Sequence, residues 1–190
     1  MKNIPDFSAI DHTWTLFLDR DGVINKRLHG DYVKNVSEFE FLPGVLDALK
    51  TFSEVFGKII VVTNQQGIGK GIYTAQQLQE VHAHMLHEVH AAGARMDAVF
   101  FAPNLASENS PLRKPGIGMA LQAKAQFPEI DFSRSLMIGD SVSDLEFGRT
   151  AGMLTMYVYH DERLPAAHHA LCDREIHSLA EAAALLKPVR

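Results

Sequence analysis

Asp19 and Asp21 stand two residues apart in the run Asp19-Arg20-Asp21-Gly22, a spacing that points both carboxylates to one side of an extended segment. Gly139-Asp140-Ser141 supplies a third acid far along the chain. Three carboxylates gathered in one place repel one another unless a cation sits among them. A hard cation bound by oxygen ligands, keeping some waters and a substrate oxygen, describes Mg²⁺. Calcium takes more ligands, and nothing here resembles its binding loop. The thiols and imidazoles that suit zinc are missing from these clusters. With Mg²⁺ neutralising the site, one carboxylate can attack phosphorus to form an aspartyl-phosphate while a second handles protons. Thr63 and the lysine of Arg113-Lys114-Pro115 are the expected donors to the phosphoryl oxygens.

Such chemistry needs elements that bring distant residues together, and the chain has the pattern for them. Thr13–Leu18, Lys58–Val62, Ala98–Ala102, Ser135–Ile138 and Leu154–Val158 are short, nearly continuous apolar runs, as expected of strands buried on both faces. Helical patterns lie between them. One opens at Pro43-Gly44 and runs to about Phe56. The next is capped by Thr74, carries a stripe of Leu78, Val81, Met85 and Val89, and ends near Gly93. Others are expected over Gly116–Phe127, Ser143–Ala151 and Ser178–Leu186. Alternating strands and helices predict an α/β fold, a Rossmann-like three-layer parallel sheet. The first strand runs into Asp19-Arg20-Asp21-Gly22, the second into Thr63-Asn64-Gln65, and the fourth into Gly139-Asp140-Ser141. In an open parallel sheet those strand ends share one edge, so the polar clusters converge on one crevice.

Composition bounds the setting. The 190 residues suit one domain, taken here as 1–190. A net charge of −5 without a basic stripe argues against a nucleic-acid partner. The lone Cys172 cannot form an internal disulfide, no apolar run reaches membrane-spanning length, and the first twelve residues show no signal-peptide pattern. A cytoplasmic monomer acting on a small phosphorylated molecule, away from membranes, is the expectation.

Asp19-Arg20-Asp21-Gly22-Val23, Thr63, Lys114 and Gly139-Asp140-Ser141-Val142-Ser143-Asp144 resemble, in order and spacing, the four motifs of the haloacid dehalogenase superfamily of phosphatases. Thr63-Asn64-Gln65, the loop Gly67-Ile68-Gly69-Lys70-Gly71 and Arg113-Lys114-Pro115 resemble the branch of histidinol-phosphate phosphatases and heptose bisphosphate phosphatases. Polynucleotide 3′-phosphatases share this look. The resemblance implies Asp19 as nucleophile, and Asp21 as acid for the leaving group and then base for water. Asp19, the backbone carbonyl of Asp21 and Asp140 would hold Mg²⁺. Thr63 and Lys114 would grip the phosphoryl group, with Asp144 in support. Arg113, Asn64, Gln65 and the loop from His29 to Tyr32 would face the substrate. It further implies no large cap domain, in keeping with the short insertion over 25–42. Relatives of the heptose type carry a zinc loop before the Arg-Lys-Pro motif. The stretch 102–112 here has no Cys or His, so no structural zinc is expected.

Other features read more plainly. Gly67, Gly69 and Gly71 fit neither the dinucleotide fingerprint nor a P-loop, and read as a flexible substrate-side loop. His82, His84, His87 and His90 are expected on a solvated helix flank, His168-His169 in a polar tail segment, and Cys172 and Trp14 in the core. A phosphoacceptor switch module would not need Asp21 beside the nucleophile. A nucleic-acid end-processing phosphatase would want a basic groove.

Overall fold

The computed structural model describes residues 6–186. Six strands form one parallel sheet in the order β3-β2-β1-β4-β5-β6. They are β1 (Thr15–Leu18), β2 (Lys58–Asn64), β3 (Ala98–Ala102), β4 (Ser135–Gly139), β5 (Leu154–Val158) and β6 (Arg174–Ile176). The helices are α1 (Val45–Val55), α2 (Ala75–Ala91), α3 (Gly118–Gln126), α4 (Val142–Ala151) and α5 (Leu179–Leu185).

The chain winds outward from β1 through β2 to β3, then returns to add β4, β5 and β6 on the other side. The reversal makes the ends of β1 and β4 the switch point of the sheet, where a crevice opens. The strands alternate between two apolar layers. Leu16, Leu18, Ile59, Val61, Leu136 and Ile138 pack with α1, α2 and α5. Phe17, Ile60, Val62 and Met137 face the opposite layer, with Met119, Ala120 and Ala123 of α3 and Phe147 of α4. The sheet is therefore covered on both faces, which is why its strands read as unbroken apolar runs.

Boundaries moved where local chemistry decides them. β1 starts at Thr15 because Asp11 turns the preceding residues: its carboxylate accepts from the Thr13 amide at 2.8 Å and its carbonyl from the Trp14 amide at 2.9 Å. Trp14 is half-buried at the rim of the core instead of inside it. β2 runs on to Asn64 because β3 continues to pair with it, Thr63 opposite Phe101 and Asn64 opposite Ala102. Thr74 caps α2 as expected, in a reciprocal pair with Gln77. β6 has only three residues, two of them charged, and no periodic signal; it exists because β5 offers an edge to pair with.

The segment 25–42 is a flap tied down at its base. The Lys26 amide donates to the Glu40 carbonyl at 2.8 Å, and the Leu42 amide to the Ile24 carbonyl at 3.0 Å. Among the described residues no helix is long and apolar enough to cross a membrane.

Candidate active site

Asp19 leaves the end of β1 with its amide hydrogen-bonded to the Ile138 carbonyl at 3.0 Å. The nucleophile candidate is thus fixed between the two central strands. The chain then turns sharply: the Arg20 carbonyl accepts from the amides of Val23, Ile24 and Asn25. Gly22 adopts φ +90, and a Cβ there would lie 2.0 Å from Oδ2 of Asp140. Only glycine lets the turn after β1 and the carboxylate after β4 approach so closely. Gly139 serves likewise, since its Cβ would fall 2.2 Å from that of Asp144.

Asp19, Asp140 and Asp144 each place a carboxylate oxygen within 4.8 Å of the others. Burial raises the Asp19 carboxyl to about 7, with Lys114 opposing and the neighbouring acids adding to the rise. Asp140 is pushed up to about 6, again chiefly by burial and then by Asp144, against the pull of Arg27. A donor set of crowded, desolvated carboxylates fits a hard divalent cation. Asp144 is already committed. Its Oδ1 is 2.6 Å from Lys114 Nζ, while its Oδ2 accepts from the Ser141 amide and hydroxyl at the start of α4. Asp19 and Asp140 are therefore the carboxylates placed to take such an ion.

Lys114 is almost wholly buried. It donates to Asp19 Oδ1 at 2.7 Å and to the Val62 carbonyl at 2.7 Å, besides its pair with Asp144. Two of its hydrogens are thus given to Asp19 and Val62, and Asp144 pairs with its charge. Burial works against the charge, but Asp144 and Asp19 outweigh it and hold the amine above its ordinary value. Asn64 fixes the backbone beneath it: its Oδ1 accepts from the Lys114 amide at 2.9 Å, and its Nδ2 donates to the Lys114 carbonyl at 3.1 Å.

Asp21 lives in different surroundings. Each of its oxygens accepts two hydrogen bonds: Oδ1 from Arg20 and Asn25, Oδ2 from Arg20 and Gln65, at 2.8–3.0 Å. Burial alone would raise its pKa, yet the Arg20 charge and these bonds win and hold it below the ordinary value.

A cavity of about 190 Å³ opens over these groups, lined among others by Asp19, Asp21, Thr63, Asn64, Arg113, Lys114, Asp140 and Asp144. Tyr32 and Arg27 lie on its flap side. Two residues expected to face a substrate do not. His29 is exposed on the flap and outside the cavity lining. Gln65 is buried and turned inward, donating to Asp21 and Thr63 and accepting from the Tyr73 hydroxyl at 2.5 Å. At the end of β2 and just past it, Asn64 and Gln66 reach the cavity, while Gln65 is held inward by these three hydrogen bonds. In the glycine loop, Gln66 meets the cavity and Gly67 packs against the Tyr73 ring. His82 is buried, not on a solvated flank, and meets Arg20 Nη1 at 3.1 Å.

Arg20, Asn25 and Arg27 also meet the carboxylates of the site. Arg20 had a signal in the sequence, since it sits beside Asp21 in the same turn. Arg27, 2.9 Å from Asp140 Oδ2, is brought there by the flap and had none.

Comparison with known proteins accords with this geometry. The family model described as polynucleotide kinase 3 phosphatase matches residues 15–178. A D-glycero-alpha-D-manno-heptose-1,7-bisphosphate 7-phosphatase of Mycobacterium tuberculosis (strain CDC 1551 / Oshkosh) is 42% identical over 135 residues, 71% of each chain. A D-glycero-beta-D-manno-heptose-1,7-bisphosphate 7-phosphatase of Yersinia pestis is 33% identical over 174 residues, 87% of this chain and 91% of that protein. Among solved structures, a D,D-heptose 1,7-bisphosphate phosphatase from B. bronchiseptica, complexed with magnesium and phosphate, superposes with a TM-score of 0.80. It is 27% identical, and the match covers 91% of this chain and 97% of that one.

Proposed function

The chain belongs to the polynucleotide kinase 3 phosphatase family of haloacid dehalogenase-like phosphatases, and from that premise we propose that it hydrolyses the 7-phosphate of a heptose 1,7-bisphosphate with Mg²⁺. The observation that carries the reading is the meeting of Asp19, Asp140 and Lys114 at the floor of one cavity. The substrate comes from the relatives named above.

In this scheme an Asp19 oxygen attacks phosphorus, the bond from phosphorus to the sugar oxygen breaks, and that oxygen takes a proton from Asp21. Water then attacks the phosphorus of the aspartyl-phosphate and gives a proton to Asp21. Inorganic phosphate leaves and the Asp19 carboxylate is restored. Asp19, Asp140 and the Asp21 carbonyl would hold Mg²⁺, which when bound would neutralise charge beside the phosphoryl oxygens. Thr63 and Lys114 bind those oxygens, Asp144 holds Lys114, and Arg113 faces the remote phosphate across the cavity. Asn64 faces the cavity and also fixes the backbone of Lys114, while Gln65 acts through Asp21. The protein works as a cytoplasmic monomer of one domain, without structural zinc. In the stretch 102–112 Glu108 accepts from Asn104 Nδ2 at 2.7 Å and from the Leu105 amide at 3.3 Å, a polar lock that needs no metal.

The test is phosphate release from heptose 1,7-bisphosphate, histidinol phosphate and a 3′-phosphorylated single-stranded DNA. The heptose ester should be turned over with the highest kcat/KM. EDTA should stop the reaction and Mg²⁺ restore it. Asp19→Asn should lower kcat by at least about a thousandfold. A preference for the DNA end would replace the substrate, and a tenth of normal activity in Asp19→Asn would sink the mechanism.

A further inference from the structure

Arg20 is fully buried within the site, yet the reaction scheme gives it no contact with substrate. Its Nη2 forks onto both oxygens of Asp21, at 2.8 and 2.9 Å. Its Nη1 lies 3.1 Å from Nε2 of His82, which projects from the second turn of α2. Arginine offers only donors. His82 Nε2 must therefore accept, so it carries the ring's lone pair and the ring proton sits on Nδ1. The surroundings agree: burial first, then the Arg20 charge, push the imidazole down to about 3, leaving it neutral. Among the described residues Arg20 Nε has no acceptor, so the guanidinium is held at two points, Asp21 and His82.

We propose that His82 is a positioning residue for the reaction: its Nε2 lone pair fixes the Arg20 fork, and the fork in turn sets the plane and place of the Asp21 carboxylate that protonates the leaving oxygen. The inference rests on Asp21 being that acid.

The need for a second anchor follows from geometry. A guanidinium bound to one carboxylate can still swing about that contact, carrying the carboxylate with it. An acceptor on the other Nη closes this freedom. Without His82 a charged, buried donor is left unpaired and turns to seek a partner. Asp21 then shifts, and a displacement of about 1 Å at a reacting group can cost about a hundredfold in rate. His82 itself is well held. Its helix is capped by Thr74 and Gln77, it shares a buried face with Leu78 and Met85, and the edge of its ring approaches Phe101, with centroids 6.1 Å apart. A residue buried for packing alone would be replaced without loss by an apolar side chain of similar size. One acting through its lone pair would be replaced by another acceptor of equal reach.

The experiment compares His82→Met with His82→Gln, the latter keeping an acceptor near the position of Nε2. Substrates are heptose 1,7-bisphosphate, whose alkoxide leaving group needs a proton, and 2,4-dinitrophenyl phosphate, whose phenolate does not. The readout is kcat/KM, which reports steps up to loss of the leaving group. His82→Met should lower it about ten- to hundredfold on the heptose ester and less than about threefold on the aryl ester. His82→Gln should recover most of the loss. Equal losses on both esters, no loss on either, or no recovery with glutamine would overturn the proposal. Asp21→Asn is the control. If it shows no split between the esters, the reading of Asp21 as acid has failed; if it shows the split and His82→Met does not, only the role of His82 has failed. Should His82→Met not fold, ¹⁵N NMR of the unaltered protein decides: the Nε2 resonance should be that of an unprotonated ring nitrogen from pH 5.5 to 8. A protonated Nε2 would overturn the inference.

Discussion

Asp19 and Asp21 are one residue type two positions apart, and their surroundings make them different reagents. Asp19 is buried among other acids with Lys114 as its counter-charge, and its carboxyl is raised to about 7. Asp21 is wrapped by Arg20, Asn25 and Gln65 and held low. Arg113 shows the same dependence on place. It lines the cavity beside Lys114 but has no carboxylate partner among the pairs described, only the Asn104 carbonyl at 3.4 Å. Under the proposed function its fork would bind a remote anionic group of the substrate. Arg113→Ala should therefore raise KM for a sugar bisphosphate about tenfold or more while leaving kcat within about twofold. On an aryl phosphate, which has no remote group, both constants should stay near their normal values. Steady-state kinetics on the two substrates check this, and an equal loss of kcat on both would place Arg113 at the reacting phosphate. At this scale the sequence was informative about the meeting of Asp19 and Asp140, which follow the ends of β1 and β4, and of Lys114, which the Arg-Lys-Pro motif singled out. It was not informative about His29, Gln65 and His82, because the direction of a loop or helix side chain is decided by packing that no spacing encodes.

At the level of elements, the turn after β1 and the start of α4 form one unit, joined across the crevice by the near contact of Gly22 with Asp140. Gly22→Ala would put a methyl where the Asp140 carboxylate now lies and would also hold alanine at φ +90. The variant should lose about 1–3 kcal/mol of stability, seen by urea unfolding. Its affinity for Mg²⁺ should fall about 10–100-fold, measured by titration calorimetry. Affinity equal to the wild type would mean that Asp140 does not hold the ion. The elements themselves were largely legible: five strands and five helices fall where apolar runs and caps place them. β6 was not, since three residues that include Arg174 and Glu175 become a strand only by pairing with β5. The flap over 25–42 was legible as an insertion. That it delivers Arg27 to Asp140 was not.

For the whole molecule, these carboxylates couple folding to pH. A carboxyl whose folded pKa is raised binds its proton more tightly when folded than when unfolded. It therefore lowers stability progressively as pH rises from the unfolded value of 3.8 to the folded value of about 7. His82, held down at about 3, acts in the opposite sense, adding stability as pH rises toward its ordinary value of 6.5. A comparison that removes only Asp19 isolates its share. Without Mg²⁺, the melting temperature of Asp19→Asn relative to the unaltered protein should climb as pH is raised from 4.5 to 7.5. Differential scanning calorimetry reads the difference, and a gap that stays flat or narrows would show that Asp19 is not held protonated by its surroundings. The distribution of lysines over the molecule has a practical consequence. Lys26, Lys50, Lys70 and Lys124 are exposed, whereas Lys114 is enclosed, hydrogen-bonded to Asp19 and the Val62 carbonyl and paired with Asp144. Amine-directed reagents act on the neutral, accessible amine, so they react with the outer lysines and pass Lys114 by. The protein is thus suited to attachment to a solid support or a dye through its outer lysines, with Lys114 shielded by its carboxylate neighbours.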